Sequence, residues 1–170
     1  GKEAAQFFSS ITFREQENKP GYFEPLQGGF TINLPQKPSE YFNNTNSDGR
    51  WEYEAVDNKT GDAWLIFKKS IYNYNFIEED SFDLKLIEES FRSPDYFDKQ
   101  ISRLQTSCNG YPELQVKEKL KNGSIVLARY LIIGPHYYVV AQRLSEKDNS
   151  QGDMLSSFTF RPFKYPSPKV

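Results

Sequence analysis

Two side chains stand out as candidates for catalysis: the single histidine, His136, and the single cysteine, Cys108. Together they could form a Cys–His pair, in which the imidazole takes the proton of the thiol nucleophile. Cys108, however, ends an apolar stripe, where a cysteine is typically a small buried hydrophobe. A zinc site needs several His or Cys ligands at short spacings, and one residue of each type does not supply them. We therefore predict no metal site, and catalysis by Cys108 or His136 stands third among our hypotheses.

Acidic side chains give two further candidates for cation binding or acid–base chemistry. The first is a loop of spaced oxygen ligands formed by Asp57, Asn58, Thr60 and Asp62. It lacks the sixth-position glycine and twelfth-position glutamate of an EF-hand loop, so a solvated hairpin turn is the preferred interpretation. The second is the acidic run within residues 78–89, on the N-terminus and outer face of a predicted helix. Carboxylates in such a position are solvated, and paired carboxylates do acid–base work only where burial or mutual repulsion separates their pKa values. No glycine-rich phosphate loop or Gly-x-Ser-x-Gly elbow is present. We expect a chain that is not an enzyme and binds no cofactor.

The composition excludes several other classes of protein. At 170 residues the chain is expected to form one domain, and its formal charge of −2 gives no case for nucleic acid or an anionic membrane. No apolar run approaches the roughly 20 residues of a membrane-spanning helix. One cysteine excludes an internal disulfide and leaves the redox compartment open.

The stretch Leu114–Leu144 organises the predicted fold as three antiparallel strands joined by two tight turns. Asn122-Gly123 suits a two-residue type I′ turn, because both central residues of that turn need positive φ. Gly134-Pro135 predicts the second turn. The two turns predict these opposed pairs: Leu120–Ile125, Glu118–Leu127, Val116–Arg129, Leu114–Leu131, Ile133–His136 and Leu131–Tyr138.

Because strand side chains alternate, these turns assign every residue to a face. The predicted core face carries Leu114, Val116, Glu118, Leu120, Ile125, Leu127, Arg129, Leu131, Ile133, His136, Tyr138 and Val140. The opposite face mixes aromatic and basic residues, including Lys117, Lys119, Tyr130, Tyr137 and Arg143. Two charges on a core face are costly unless they are paired, so we predict a salt bridge between Glu118 and Arg129.

Two helices are predicted between the early strands and this unit. The first spans residues 79–92 and places Phe82, Leu86 and Ile87 near one face. The second spans Pro94–Cys108, with Ser93 as N-cap, Pro94 at the first helical position and Gly110 just past the end. Its apolar stripe is Phe97, Ile101, Leu104 and Cys108.

The rest of the chain alternates in the manner of half-buried strands. Strands are predicted at residues 30–34, 51–56 and 63–77, with a last strand in the segment SFTFRPF. The fold class is therefore α+β, a single mainly antiparallel β-sheet with two helices packed on one face. The predicted organisation is a partly ordered lead-in at residues 1–24, one domain at 25–163 and a proline-rich tail at 164–170.

The order of elements and three short motifs resemble the PsbP-like proteins. The motifs are GGFTINLPQKP near the start, YLIIGPHYYVV late in the chain and SSFTF close to its end. The resemblance implies a sheet covered by helices and a role in binding rather than catalysis. It extends to secreted bacterial members, and so implies an extracytoplasmic location, periplasmic or at the cell surface. No residue matches a motif of photosystem function, so none of that function carries over.

The leading functional hypothesis is a non-catalytic extracytoplasmic binding module that docks a protein or cell-envelope partner. Tyrosine beside basic residues is typical of interaction surfaces, because the ring contributes apolar area and the hydroxyl stays hydrated. The predicted contact residues are Tyr130, Tyr137, Lys117, Lys119 and Arg143, with Tyr72 and Tyr74 as a second aromatic platform. Two alternatives remain. In the first, a helix or the N-terminal lead-in covers Tyr130 and Tyr137 to form a second core. In the second, the protein carries a small ligand or lipid in an aromatic-lined pocket between helices and sheet.

Overall fold

The computed structural model describes residues 21–43, 50–70, 80–145 and 153–161. Within these ranges the chain forms ten strands and two helices, α1 (Asp80–Phe91) and α2 (Asp153–Ser156). The strands are β1 (Gly21–Phe23), β2 (Phe30–Leu34), β3 (Ser39–Asn43), β4 (Arg50–Val56), β5 (Ala63–Ser70), β6 (Phe97–Cys108), β7 (Tyr111–Leu120), β8 (Ile125–Ile133), β9 (His136–Leu144) and β10 (Thr159–Phe160).

The strands form two antiparallel sheets. The large sheet has seven strands in the order β3-β4-β5-β9-β8-β7-β6, and the small sheet has three in the order β1-β2-β10. The prediction of one sheet with two helices on one face is therefore wrong. In the described ranges one long helix, α1, packs on the large sheet, and the chain is mostly strand. β1 lies inside the lead-in predicted for residues 1–24, and the domain boundaries stay a prediction.

The helix predicted for Pro94–Cys108 is a strand, β6. Asn109 and Gly110 both have positive φ, 52° and 84°, and Cys108 pairs with Tyr111 across them. This is a two-residue type I′ hairpin, which returns the chain along its own path and lets β6 pair with β7 over ten positions. Twelve residues that are mostly exposed gain more from this ladder than from the weak helical stripe, so tertiary pairing overrides local propensity.

The turn between β7 and β8 has three residues, not two. Leu120 N donates to Ser124 O at 2.9 Å and Gly123 N donates to Leu120 O at 3.0 Å, with Gly123 at φ 89°. The Asn122 side chain stabilises this longer loop, because its Oδ1 accepts a hydrogen bond from Ser124 N at 3.0 Å. The observed pairs are thus Lys119–Ile125, Val116–Ala128 and Leu114–Tyr130.

This one-residue slip moves every β7 side chain to the other face. The predicted Glu118–Arg129 salt bridge is therefore wrong, because the two residues point to opposite faces. Arg129 pairs instead with the buried Glu113, and Glu118 pairs with Arg92 at the end of α1. The β8–β9 hairpin is confirmed, since Ile133 pairs with His136 and Leu131 with Tyr138.

The central strands of the large sheet are buried on both faces, whereas the edge strand β6 is largely exposed. One core lies between it and the small sheet and includes Phe30, Ile66, Leu131, Tyr138 and Phe158. The other lies under α1 and includes Leu84, Leu114, Tyr130, Ile132 and Val139. β8 and β9 contribute to both cores, which explains their nearly continuous apolar sequence.

Replacing Leu84 by alanine tests whether α1 is held by the second core. Leu84 is fully buried, whereas Leu86 on the same helix is 47% exposed. We expect Leu84→Ala to lower the free energy of unfolding by about 2–5 kcal/mol, because it removes buried methyl groups and leaves a cavity. Leu86→Ala is the matched control and should change it by less than about 0.5 kcal/mol. The measurement is urea denaturation, and equal effects at the two positions would contradict this placement of α1.

A double-mutant cycle distinguishes the observed register from the predicted one. The cycle combines Arg129→Met with Glu113→Gln, and separately with Glu118→Gln. We expect a coupling energy of about 1–3 kcal/mol for the first pair, because Glu113 is buried and the Arg129 side chain that pairs with it is only 14% exposed. The second pair should couple by less than about 0.5 kcal/mol. A larger coupling for Arg129 with Glu118 than with Glu113 would contradict the observed register and support the predicted two-residue turn.

Candidate functional site

A groove of about 590 Å³ lies beside the C-terminal end of α1, on the α1 face of the large sheet. Its floor is aliphatic and comes from β5, β8 and β9, with Leu65, Val126 and Ala141. Its wall is aromatic and consists of Phe91, Tyr96 and Phe97. We call this feature the aromatic groove. Its volume and lining fall within the range typical of sites for small molecules or for the anchoring side chain of a partner.

The segment between α1 and β6 forms the aromatic wall. Tyr96 N and Phe97 N both donate to Ser93 O, at 3.2 and 3.1 Å, so the chain turns sharply after the helix. Lys121 N donates to Tyr96 O at 2.8 Å and ties this turn to the β7–β8 loop. Tyr96 stays 68% exposed as a result of this position at the rim.

A network of ion pairs closes one side of the groove. Arg92 bonds to Glu118 on β7 and to Glu88 on α1, the latter at 2.9 Å, and its guanidinium lies 4.5 Å from the centre of the Phe97 ring. Arg103 on β6 reaches the same Glu88 at 3.2 Å. Burial opposes the charge of Arg92, but hydrogen bonding and attraction from Glu118, with further attraction from Glu88, raise its pKa. The network therefore fixes α1 to β6 and β7.

Two cations at the rim have no such partner. Arg143 on β9 and Lys121 in the β7–β8 loop both line the groove and are both exposed. Neither forms an ion pair in the described part of the chain. The aromatic groove thus offers an apolar interior with positive charge at its edge.

The structure separates the predicted contact residues into two groups. Tyr130, Tyr137 and Arg143 lie on the α1 face, since each pairs across the sheet with residues of the second core. Lys117 and Lys119 lie on the opposite face, beside Leu127 and Ile125. Tyr72 and Tyr74 lie outside the described residues. A binding role for the set stays a prediction.

Tyr130 is 1% exposed beneath α1, which fits the alternative in which a helix covers it. Burial, and next the charges of Glu118 and Glu88, raise the pKa of its hydroxyl. A partner could not touch this ring without displacing α1. Of the predicted contact residues that the structure describes, Arg143 alone borders the aromatic groove.

Sequence reasoning missed Tyr96 and Phe97 because it placed them inside a helix. Ser93 was interpreted as the N-cap of that helix, whereas its carbonyl closes a turn between α1 and β6. The signal that could have corrected this was Asn109-Gly110, a second Asn-Gly dipeptide followed by alternating residues.

Cys108 and His136 do not form a pair. Cys108 lies on β6 and His136 on β9, and β7 and β8 stand between them, which puts the two about 14 Å apart at the usual strand spacing. Arg129 Nη2 donates to Cys108 Sγ at 3.6 Å, and Ser70 Oγ lies 3.1 Å from His136 Nδ1. Each residue therefore has a separate local environment.

The acidic loop at residues 57–62 is a hairpin turn, as predicted. Asp57 N bonds to Asp62 O and Gly61 N bonds to Asp57 O, both at 2.8 Å. The Asp62 side chain is buried, and its Oδ1 accepts a hydrogen bond from Ser145 N at 2.9 Å, so it joins the turn to the end of β9. No group of three or more His, Cys, Asp or Glu side chains in the described ranges could hold a metal ion.

The helices of the described residues are too short and too polar to cross a membrane.

No protein-family model matches the sequence, and a search of curated proteins finds no match. A search of solved structures finds the solution structure of cyanobacterial PsbP (CyanoP) from Synechocystis sp. PCC 6803. The fold is PsbP-like. The alignment covers 84% of this chain and 93% of that one, with a TM-score of 0.54 and 9% sequence identity. At this identity the likeness shows the fold alone, and the resemblance predicted from the sequence is confirmed at that level.

The single histidine allows a direct test of the His136 environment. Burial, and next the positive charge of Lys68, lower the pKa of His136 below its ordinary value of 6.5. The folded state then binds fewer protons than the unfolded state near pH 6, so stability should fall as the pH drops through about 6.5. NMR titration of the imidazole should give a pKa below 6.5. Lys68→Gln should recover only part of the shift, because burial is the larger cause, and a measured pKa at or above 6.5 would contradict this description.

Proposed function

We propose that this protein is a non-catalytic binding module that docks a partner protein through the aromatic groove. The observation that carries the proposal is the combination of an apolar, aromatic-walled groove with two cations at its rim that have no ion-pair partner in the described chain. Aromatic residues and arginine are enriched where interfaces bind tightly, because they contribute large contact areas and strong hydrogen bonds.

The groove also has the rigidity that a binding site needs. The Arg92 network and the Lys121–Tyr96 backbone bond hold its walls before any partner arrives. Little side-chain entropy is then lost on binding, and more of the interaction energy contributes to affinity. The rim charges of Arg143 and Lys121 favour a partner segment that places an acidic group beside an apolar anchor.

A non-catalytic role is supported by the positions of the two candidate nucleophilic and basic groups. Cys108 and His136 lie on β6 and β9 and bond to different neighbours, so neither activates the other. The acidic side chains beside the groove, Glu118 and Glu88, are already engaged by Arg92. These carboxylates serve to position α1.

A second candidate function is transport of a small amphipathic anion. The volume of about 590 Å³ suits a ligand whose apolar body lies against Leu65 and Val126 and whose acidic end meets Arg143. Either function is consistent with the extracytoplasmic location that we propose from the resemblance, which fractionation of cells producing the protein would test.

A photoreactive residue at the groove tests the docking proposal. We would replace Tyr96 by p-benzoylphenylalanine, irradiate cells that produce the protein and identify the cross-linked species by mass spectrometry. We expect one specific protein partner, absent when the same residue replaces Tyr22, an aromatic residue that is 70% exposed on the small sheet. A cross-link to a lipid or metabolite would favour the carrier, and equal cross-linking at both positions would contradict a site at the groove.

With the identified partner purified, Tyr96→Ala and Arg143→Glu should each weaken binding by about 2 kcal/mol, more than tenfold in Kd, because each removes or reverses a contact at the groove rim. Lys59→Glu makes the same charge change as Arg143→Glu in the β4–β5 turn and should leave Kd unchanged. Isothermal titration calorimetry measures the Kd of each variant. Equal losses in Arg143→Glu and Lys59→Glu would mean that net charge alone, and not the groove, controls binding.

A further inference from the structure

Three lysines from two neighbouring strands lie together on the face of the large sheet opposite α1. Lys99 on β6 pairs directly with Lys119 on β7, and Lys117 is two residues along on the same face, opposite Ser102. Like charges directly opposite each other destabilise a sheet. None of the three lysines forms an ion pair in the described ranges. The fold thus creates a local basic cluster that the near-neutral composition conceals.

The cluster lies beside an open sheet edge. β6 is the last strand of the large sheet, and no described strand pairs with its outer side. Two register irregularities interrupt the ladder between Phe97 and Ser102, and irregularities of this kind protect an edge from pairing. From Ser102 to Cys108 the ladder is continuous, so this half of the edge is regular and unprotected.

The hairpin turn fixes which backbone groups of β6 are unused. Cys108 and Tyr111 flank a two-residue turn and form a hydrogen-bonded pair, and bonded and non-bonded pairs alternate along an antiparallel ladder. The N–H groups of Arg103, Gln105 and Ser107 therefore point away from β7. They form a row of donors that an added strand would satisfy.

A second groove, of about 700 Å³, lies next to this edge on the lysine face. It is lined by Leu104, Gln115, Lys117, Leu127 and Arg129 among others, and shares no lining residue with the aromatic groove. Leu104 is 57% exposed at its border, although edge strands usually carry charge at such a position. The groove offers apolar contact to every second side chain of a strand added to β6.

We propose that the edge of β6 binds an extended acidic segment of a partner protein, which adds as an eighth strand to the large sheet. Its backbone pairs with Arg103, Gln105 and Ser107, an apolar side chain contacts Leu104, and its carboxylates meet Lys99, Lys117 and Lys119. Peptides commonly bind by such strand addition, with the backbone supplying affinity and alternate side chains supplying specificity. This second surface goes beyond the docking proposed above, since it lies on the opposite face.

Charge complementarity selects the acidic segment over other occupants. A second copy of the chain, paired through the regular half of its own β6, would bring no carboxylate to the lysines, because residues 102–108 contain no acidic side chain. An anionic lipid surface would meet the lysines but leave the outward N–H groups of β6 without partners. An acidic extended peptide satisfies both the charges and the backbone.

The test uses the full chain and a fluorescein-labelled nine-residue peptide in which glutamate alternates with valine or threonine. A counterpart with lysine in place of glutamate is the control peptide. We expect fluorescence anisotropy to show binding of the acidic peptide only. Lys99→Glu should weaken that binding at least about tenfold, because it reverses a contacting charge.

Lys99→Glu also replaces a Lys–Lys pair by a Glu–Lys pair, so its urea midpoint should equal or exceed that of the parent. Loss of binding in this variant is therefore not loss of folding. Gln105→Pro removes an outward N–H and should also abolish binding, with circular dichroism as the folding check and Ser107→Pro as the replacement if strand content falls. Lys59→Glu, the same charge change in the β4–β5 turn and away from both grooves, should bind like the parent.

Four results would overturn the proposal. The first would be an acidic peptide that does not bind, or binds no better than the lysine peptide. The second would be full affinity in Gln105→Pro together with lost affinity in Lys99→Glu, which would mean charge attraction without strand pairing. The third would be binding of phosphatidylglycerol vesicles through Lys99 without binding of the peptide, which would mean a lipid surface. The fourth would be a dimer in sedimentation that Gln105→Pro dissociates, which would mean that a second copy occupies the edge.

Discussion

The burial of β8 and β9 on both faces is the constraint on which the rest of the structure depends. An antiparallel sheet usually leaves one face to water, and its strands then alternate apolar and polar residues. Here Leu131 and Ile133 face the small sheet while Tyr130 and Ile132 face α1. Both covers must therefore be present for these strands to be stable, and the aromatic groove lies where the α1 cover ends.

The same constraint explains what could be predicted from the sequence. The β8–β9 hairpin was placed correctly because one tight turn joins two long apolar strands, and a slip would expose large apolar side chains. Burial on both faces removes that alternation from β8, however, so the pattern of β8 could not fix the face of β7. Its face then depended on one turn, and Asn-Gly fits both a two-residue turn and a three-residue turn that ends on glycine. The side chain of Asn122 and the position of Gly123 select the longer one.

The aromatic groove depends on the elements that sequence reasoning placed least well. Helical spacing at Phe97, Ile101 and Leu104 is real, but β6 is an edge strand whose side chains are largely exposed, so its residues carry little periodic signal for a strand. Arg143 was selected because it shares a face with tyrosines, and it does lie at a groove. Lys117 and Lys119 were selected for the same face and instead join Lys99 on the other, a neighbour that only the β6–β7 pairing could supply.

The strand order also bears on how the chain reaches its folded state. β3, β4 and β5 form one local meander and β6 to β9 another, and the two join through the β5–β9 ladder, in which Ala63 pairs with Arg143 and Ser70 with His136. Each meander closes short loops, whereas this joining step closes a loop of more than sixty residues and is entropically slower. Until it occurs, β5 and β9 are each paired on one side only and form the apolar edges of their meanders. The interval between the two stages is when the chain is most exposed to aggregation, at the centre of the sheet and not at its borders.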